Sequence, residues 1–230
     1  MNIHGLQKLS LLDYVGTVAC TVFFFGCNFR CPFCHNAPLV TEKPQPIMND
    51  EELLEFLKKR KGILEGVAIS GGEPLLQPEL PELMKKIKEL GYKIKLDTNG
   101  SVPDKLKSLI SCGLVDRVAM DIKASPTLYP VATGIPNVDI GAIAESRDII
   151  MSSNIDYEFR TTLVKGIHSE TDVADMAKWI SGAKEYYLQQ FKDSGNLICK
   201  DNLSEFTEEE MKTFAEIVKP YVPTVQIRGV

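Results

Sequence analysis

No stretch of this 230-residue chain reaches the roughly 18 consecutive apolar residues that a membrane-spanning helix needs. No membrane partner is expected. Positive charge is not in excess either. The net charge is −5, which gives no electrostatic case for a nucleic-acid partner. The start, Met1-Asn2-Ile3-His4-Gly5, lacks the charged-then-apolar pattern of a secretory signal. A cytoplasmic location is the expectation, and thiols stay reduced there. The six cysteines then read as ligands and buried free thiols rather than a disulfide framework. Linkers and low-complexity tracts are absent, as is a second cysteine cluster. Residues 1–230 are expected to form a single domain with a sizeable core. The lone tryptophan, Trp179, lies in an amphipathic segment and reads as core packing.

What is present is a regular alternation. Apolar runs predict strands over 17–25, 66–70, 93–97, 115–121, 156–163 and 185–190. Amphipathic segments predict helices over 50–61, 79–90, 103–111, 140–153, 170–180 and 208–218, followed by an extended segment over 224–228. Asn49 with Glu52, and Thr207 with Glu210, have the spacing of N-terminal capping boxes. Repeated βα units imply a parallel sheet with helices outside. Six units are too few for the usual eight-stranded barrel. The expected fold class is α/β, a partial, open (β/α)6 TIM-like barrel.

Cys27, Cys31 and Cys34 form a C-x3-C-x2-C run just after the first strand. Three thiolates this close can grip one face of a metal centre, and thiolate-rich sites select iron–sulfur clusters, zinc or copper(I). A [4Fe–4S] cluster with four protein thiolates is complete. One with three leaves an iron open for a substrate or cofactor. Structural zinc usually takes four ligands, often in two close cysteine pairs. Here His35 adjoins Cys34 and is awkwardly placed to share its metal. Cys20, Cys112 and Cys199 are scattered without pair spacing and read as bystander thiols. The spacing favours a reactive cluster over zinc.

In parallel βα architectures function gathers at the carboxyl ends of the strands. Ser70-Gly71-Gly72-Glu73-Pro74, Asp97-Thr98-Asn99-Gly100, Asp121-Ile122-Lys123, Arg160-Thr161-Thr162 and Gln189-Gln190 all fall there. Each alone has a plain alternative. Glycine with proline makes tight turns, Asn-Gly is a common turn dipeptide, Asp121 and Lys123 suit a solvated strand end, and Arg160 suits a buried ion pair. Together they offer a carboxylate, two cations and exposed amides on one rim. Such a set suits a zwitterionic amino-acid group. His168, in the loop after the fifth strand, reads as a surface or supporting residue.

The cysteine run with Phe33 before its last member, together with Gly71-Gly72-Glu73-Pro74, resembles the radical S-adenosylmethionine (SAM) superfamily. Within it, Leu96-Asp97-Thr98-Asn99-Gly100 and Met120-Asp121-Ile122-Lys123 resemble the glycyl-radical-enzyme activating enzymes. The opening segment 5–16 and Cys31-Pro32-Phe33-Cys34-His35-Asn36 are most similar to the longer anaerobic ribonucleoside-triphosphate reductase activating proteins.

The resemblance implies that Cys27, Cys31 and Cys34 hold a [4Fe–4S] cluster. It places S-adenosylmethionine on the open iron. Gly71, Gly72 and Glu73 would meet its ammonium, and Lys123 and Arg160, with Asp121 between them, would lie near its carboxylate. Phe33, Cys34 and His35 would run past the adenine. Asp97, Thr98 and Asp121 match the place where related activases hold a monovalent cation. A histidine that some relatives carry near the ribose is replaced here by Gln190 or Phe191. The implied reaction is reductive cleavage of the cofactor and removal of a hydrogen atom from a glycine of a partner enzyme. The implied partners are that glycyl radical enzyme, in the first place anaerobic ribonucleotide reductase, and a flavodoxin- or ferredoxin-like electron donor. A pyruvate formate-lyase-type activating enzyme and a small-molecule radical SAM enzyme are the alternatives. An iron–sulfur electron carrier or zinc-stabilised binding module would leave the rim residues without a purpose.

Overall fold

Strand follows helix along the chain as the alternating pattern requires. A computed structural model describes residues 1–42, 44–199 and 201–230. Strands β1 (Asn2–Ile3), β2 (Gly5–Ser10) and β3 (Ala19–Phe24) lead into helix α1 (Pro38–Thr41). Then come β4 (Met48–Asn49), α2 (Asp50–Lys59), β5 (Gly66–Gly71) and a 3-10 turn over Pro74–Leu76. Units α3 (Leu80–Glu89), β6 (Lys93–Thr98), α4 (Pro103–Ser111) and β7 (Arg117–Asp121) follow. The rest is α5 (Tyr129–Thr133), α6 (Ile140–Ser152), β8 (Asp156–Leu163), α7 (Glu170–Trp179), β9 (Glu185–Gln190), α8 (Glu208–Val218) and β10 (Thr224–Arg228). Both expected capping boxes form: Asn49 and Thr207 exchange hydrogen bonds with Glu52 and Glu210 at the starts of α2 and α8. Among the described residues no helix is long and apolar enough to cross a membrane.

One eight-stranded sheet runs in the order β10-β9-β8-β7-β6-β5-β3-β2. All neighbours from β3 to β10 are parallel, and β2 pairs antiparallel with β3. The six expected parallel strands are present. Two more extend them: β10 on the segment expected to be extended, and β2 at the opposite edge. These two edges do not pair, so the curved sheet stays open on one side. A separate ribbon joins β1 to β4.

In parallel register, paired residues share one face and successive residues alternate faces. One face carries Val67, Ile69, Ile94, Leu96, Val118, Met120, Phe159 and Leu188, all fully buried. It packs with Leu53, Met84, Leu106, Ile143, Val173 and Met211 of the outer helices in one continuous core. Burying each such side chain stabilises the fold by about 1.5–3 kcal/mol. The inner face is different. It carries Ala68, Lys95, Asp97, Arg117, Ala119, Asp121, Glu158 and Arg160. A closed barrel fills this position with bulky aliphatics. Here small residues and paired charges line the inner face, and a cavity lies at the carboxyl ends of the strands.

Leu96 lies at the centre of the apolar face and is fully buried. Leu96→Ala is expected to lower the unfolding free energy by about 2–5 kcal/mol in denaturant titrations. A loss below about 1 kcal/mol would place Leu96 outside the well-packed core.

Candidate functional site

The cysteine loop leaves β3 through Gly26, whose φ of +97° suits glycine. The loop is held at many points. The Gly26 N–H donates to Leu39 O (2.9 Å), and the Arg30 guanidinium donates to Cys27 O (2.7 Å) and Phe29 O (2.8 Å). The Arg30 N–H donates to Thr133 O in α5 (2.8 Å), and the Cys199 N–H donates to Pro32 O (3.1 Å). The Gly71-Gly72 pair supports the loop from below. The Gly72 N–H donates to Phe24 O (2.9 Å) and the Glu73 N–H to Gly26 O (2.8 Å). A Cβ on Gly72 would stand 2.0 Å from Gly26 O, and one on Gly71 would stand 2.4 Å from Phe24 N. Only glycine permits this approach.

The three sulfurs open into a cavity of about 360 Å³ at the carboxyl ends of the strands. Its walls include Cys27, Cys31, Phe33, Cys34, His35, Gly71, Gly72, Asp97, Thr98, Asp121, Lys123 and Arg160. Nearly every residue expected at the site therefore faces one space. Burial pushes up the thiols of Cys27 and Cys34, and that of Cys31 to about 12. The Lys123 ammonium pulls in the other direction at all three.

Asp121 organises the cationic wall. Its Oδ1 accepts from Arg160 Nε and its Oδ2 from Lys123 Nζ (2.8 Å). Arg160 reaches Asp97 Oδ2 at 3.2 Å, and Lys95 Nζ donates to Asp97 Oδ1 at 2.7 Å. Burial disfavours charge on both aspartates. The guanidinium of Arg160, with Lys123 beside Asp121 and Lys95 beside Asp97, nonetheless holds both carboxyls below the usual range. The ladder continues through Glu158, which meets Lys95 (3.7 Å) and Arg117 (3.0 Å).

Glu73 stands away from its expected place. Its carboxylate is fully buried and does not line the cavity. Oε1 accepts from the Leu75 N–H (3.1 Å) and from Thr98 Oγ1 (2.9 Å), and Oε2 accepts from the Asn99 N–H (2.7 Å). Burial pushes its pKa up to about 7 against those three donors. The side chain ties the turn after β5 to the end of β6. The part of that turn that lines the cavity is Ser70, Gly71 and Gly72.

Asp13 was not legible as a site member, whereas Gln189 already fell on the rim in the sequence. Asp13 lines the cavity and accepts from Thr21 Oγ1 (2.5 Å), as the β2–β3 loop folds inward. Gln189 lines it in place of Gln190, whose amide instead donates to Phe206 O. Strict alternation along β9 was the available signal. Phe191 stacks obliquely against His35 (6.1 Å). His168 is buried rather than on the surface. Its Nδ1 accepts from the Val164 N–H (3.0 Å), so Nε2 carries the proton and donates to Lys123 O (2.9 Å). Its ring also meets the edge of Phe33 at 6.2 Å. Cys112 is exposed and Cys20 is buried in β3, in keeping with bystander roles.

Residues 21–180 match the radical SAM superfamily pattern. The chain belongs to the radical SAM superfamily. It is 33% identical over 239 residues to a protein of Methanocaldococcus jannaschii named for glycyl-radical enzyme activation, covering 99% of this chain and 96% of that one. It is 36% identical over 127 residues to the pyruvate formate-lyase-activating enzyme of Clostridium pasteurianum, covering 53% of this chain and 52% of the other. The fold resembles a domain of a pyruvate-formate lyase-activating enzyme from Bacteroides vulgatus, with a TM-score of 0.59, 20% identity, and coverage of 71% and 99%.

Radical SAM enzymes use a [4Fe–4S] cluster and S-adenosylmethionine, and the residues present fit both. Three sulfurs on one restrained loop face a cavity that also presents Lys123, where thiolate charge would collect. Among the described residues no three metal-ligating side chains converge on a single ion. A four-iron cluster spreads its thiolates more widely than one ion does. The cationic wall suits a carboxylate, and the rings of Phe33 and His35 line the same cavity.

Gly72→Ala is expected to displace the cysteine loop. Iron and sulfide content after anaerobic reconstitution should fall while the far-UV circular dichroism stays that of the wild type. Full cluster content in this variant would contradict the close approach.

Proposed function

We propose that this radical SAM enzyme installs a glycyl radical on a partner enzyme. Cys27, Cys31 and Cys34 hold the [4Fe–4S] cluster, and the adjoining cavity takes S-adenosylmethionine. Anaerobic ribonucleoside-triphosphate reductase is the proposed partner, and a flavodoxin- or ferredoxin-like protein the electron donor. Residues 1–230 work as one radical SAM domain in the cytoplasm. The observation that carries the reading is a single cavity shared by three thiols and the Asp121-Lys123-Arg160 wall.

When bound, the cluster and S-adenosylmethionine supply one-electron chemistry that yields a carbon-centred radical. The chain's own residues bind, orient and shield. Lys123 and Arg160 sit on the cavity wall, where both can donate to a ligand carboxylate. Ser70 and the Gly71 and Gly72 backbone offer polar groups to an ammonium. His168 and Tyr129 fix the Lys123 backbone from either side: His168 donates to its carbonyl, and the Tyr129 hydroxyl accepts from its N–H (3.2 Å). No general base is required. The gap between β2 and β10 supports entry of a peptide loop from a protein substrate. A relative named for glycyl-radical enzyme activation that matches 99% of this chain favours activation over small-molecule chemistry.

The test is anaerobic. The reconstituted, reduced protein should convert S-adenosylmethionine to 5′-deoxyadenosine and methionine. Its absence counts against the enzyme reading. Adding anaerobic ribonucleotide reductase should produce a glycyl-radical signal in electron paramagnetic resonance. A signal only with pyruvate formate-lyase would move the assignment to the other activase class. Cys27→Ala should abolish cleavage. Cys199→Ala should not, because Cys199 meets the cysteine loop through its backbone N–H while its Sγ lies against Asp201 (3.9 Å). Equal loss in both variants would overturn the ligand set.

A further inference from the structure

Asp97, Thr98 and Asp121 are the residues at which the resemblance places a monovalent cation. A cation of that kind needs several oxygens with free lone pairs pointing at one spot. Here each of these side-chain oxygens already has one lone pair taken, and on both aspartates the partner is a cation. Lys95 Nζ takes Asp97 Oδ1 (2.7 Å) and Arg160 takes Asp97 Oδ2 (3.2 Å). Arg160 Nε takes Asp121 Oδ1, and Lys123 Nζ takes Asp121 Oδ2 (2.8 Å). Thr98 Oγ1 gives its proton to Glu73 and accepts from the Gly100 N–H (3.1 Å). All four oxygens of these two carboxylates thus already meet side-chain cations, and a third carboxylate, Glu158, lies 3.7 Å from the Lys95 ammonium. An added alkali ion would meet repulsion from those cations.

The three cations are not equivalent. Lys123 and Arg160 line the cavity and can turn toward an anionic ligand. Lys95 does not line it. Strand periodicity places Lys95 two residues before Asp97 on the same inner face of β6. Its side chain is almost wholly buried, and its other carboxylate neighbour, Glu158 at 3.7 Å, is fully buried too. A buried ammonium has no water to turn to, so leaving Asp97 would strand charge on both partners. Lys95 therefore stays on Asp97 even when Arg160 engages a ligand.

We infer that Lys95, with Arg160, is a tethered replacement for the monovalent cation, so that the cofactor site of this enzyme is complete without a bound alkali ion. Lys95 acts as a positioning residue: it holds Asp97, which steadies Arg160. The inference deepens the radical SAM reading and rests on it for the identity of the ligand.

The experiment has two readouts. First, potassium chloride is titrated into the anaerobic, reconstituted protein by calorimetry, against tetramethylammonium chloride at matched ionic strength, with thermal unfolding in both salts. The wild type should show no saturable potassium binding and the same melting temperature in either salt. Second, S-adenosylmethionine binding is measured in both salts and should be unchanged. Lys95→Met, which keeps the stem and removes the charge, should acquire saturable potassium binding. Its affinity for S-adenosylmethionine should rise about tenfold when potassium is added. Lys95→Arg should behave as the wild type. Stoichiometric potassium binding to the wild type that disappears in Asp97→Asn would overturn the inference. So would a wild-type affinity for S-adenosylmethionine that depends on potassium. If Lys95→Met does not fold, the wild-type titrations still decide. If S-adenosylmethionine binds in neither salt, the cofactor reading fails, while the potassium titration continues to test the cation position on its own.

Discussion

Charge inside an open parallel sheet must be neutralised by charge, and this constraint shapes the whole inner face. Asp121 sits at the centre of the answer, accepting from Arg160 and Lys123 at once. Arg160 carries the pairing to Asp97, Lys95 carries it to Glu158, and Arg117 carries it on to Glu185. Breaking a link leaves a charged group in the buried part of the ladder with fewer partners to offset its desolvation. The ladder thus does two things. It lets a half-barrel keep a polar interior without collapsing, and it fixes the side chains that face the cavity.

The second constraint is steric. Gly71 and Gly72 allow the turn after β5 to lie directly beneath the start of the cysteine loop. Glu73, buried behind that turn, binds it to Thr98 and Asn99 at the end of β6. The thiol loop and the carboxylate end of β6 are therefore positioned by one shared joint. This explains how a loop rich in irregular backbone presents three sulfurs to the same space as the residues of five other strands.

The strands, the helices and the two capping boxes were legible because periodicity and capping act over a few residues. The cysteine loop and the rim motifs were legible because their residue types are rare and their spacing is tight. What stayed hidden depends on contacts between distant segments. Lys95 and Glu158 look like ordinary strand residues until the register places them across the inner face. Glu73 carries the same letters whether it faces a ligand or a buried turn. Asp13 reaches the cavity only because the β2–β3 loop folds inward, and His168 reaches Lys123 only through the turn after β8. The short helices α1 and α5 are too brief to show a period, yet α5 holds the cysteine loop through Thr133.

The central claim is that the three thiols and the cationic wall form one cofactor site. The most direct measurement is electron–nuclear double resonance on the reduced, reconstituted protein with S-adenosylmethionine labelled at the methionine nitrogen and carboxylate. The account predicts hyperfine coupling of both labels to the cluster, weakened or lost in Arg160→Met. Bound cofactor with no coupling from either label would contradict it.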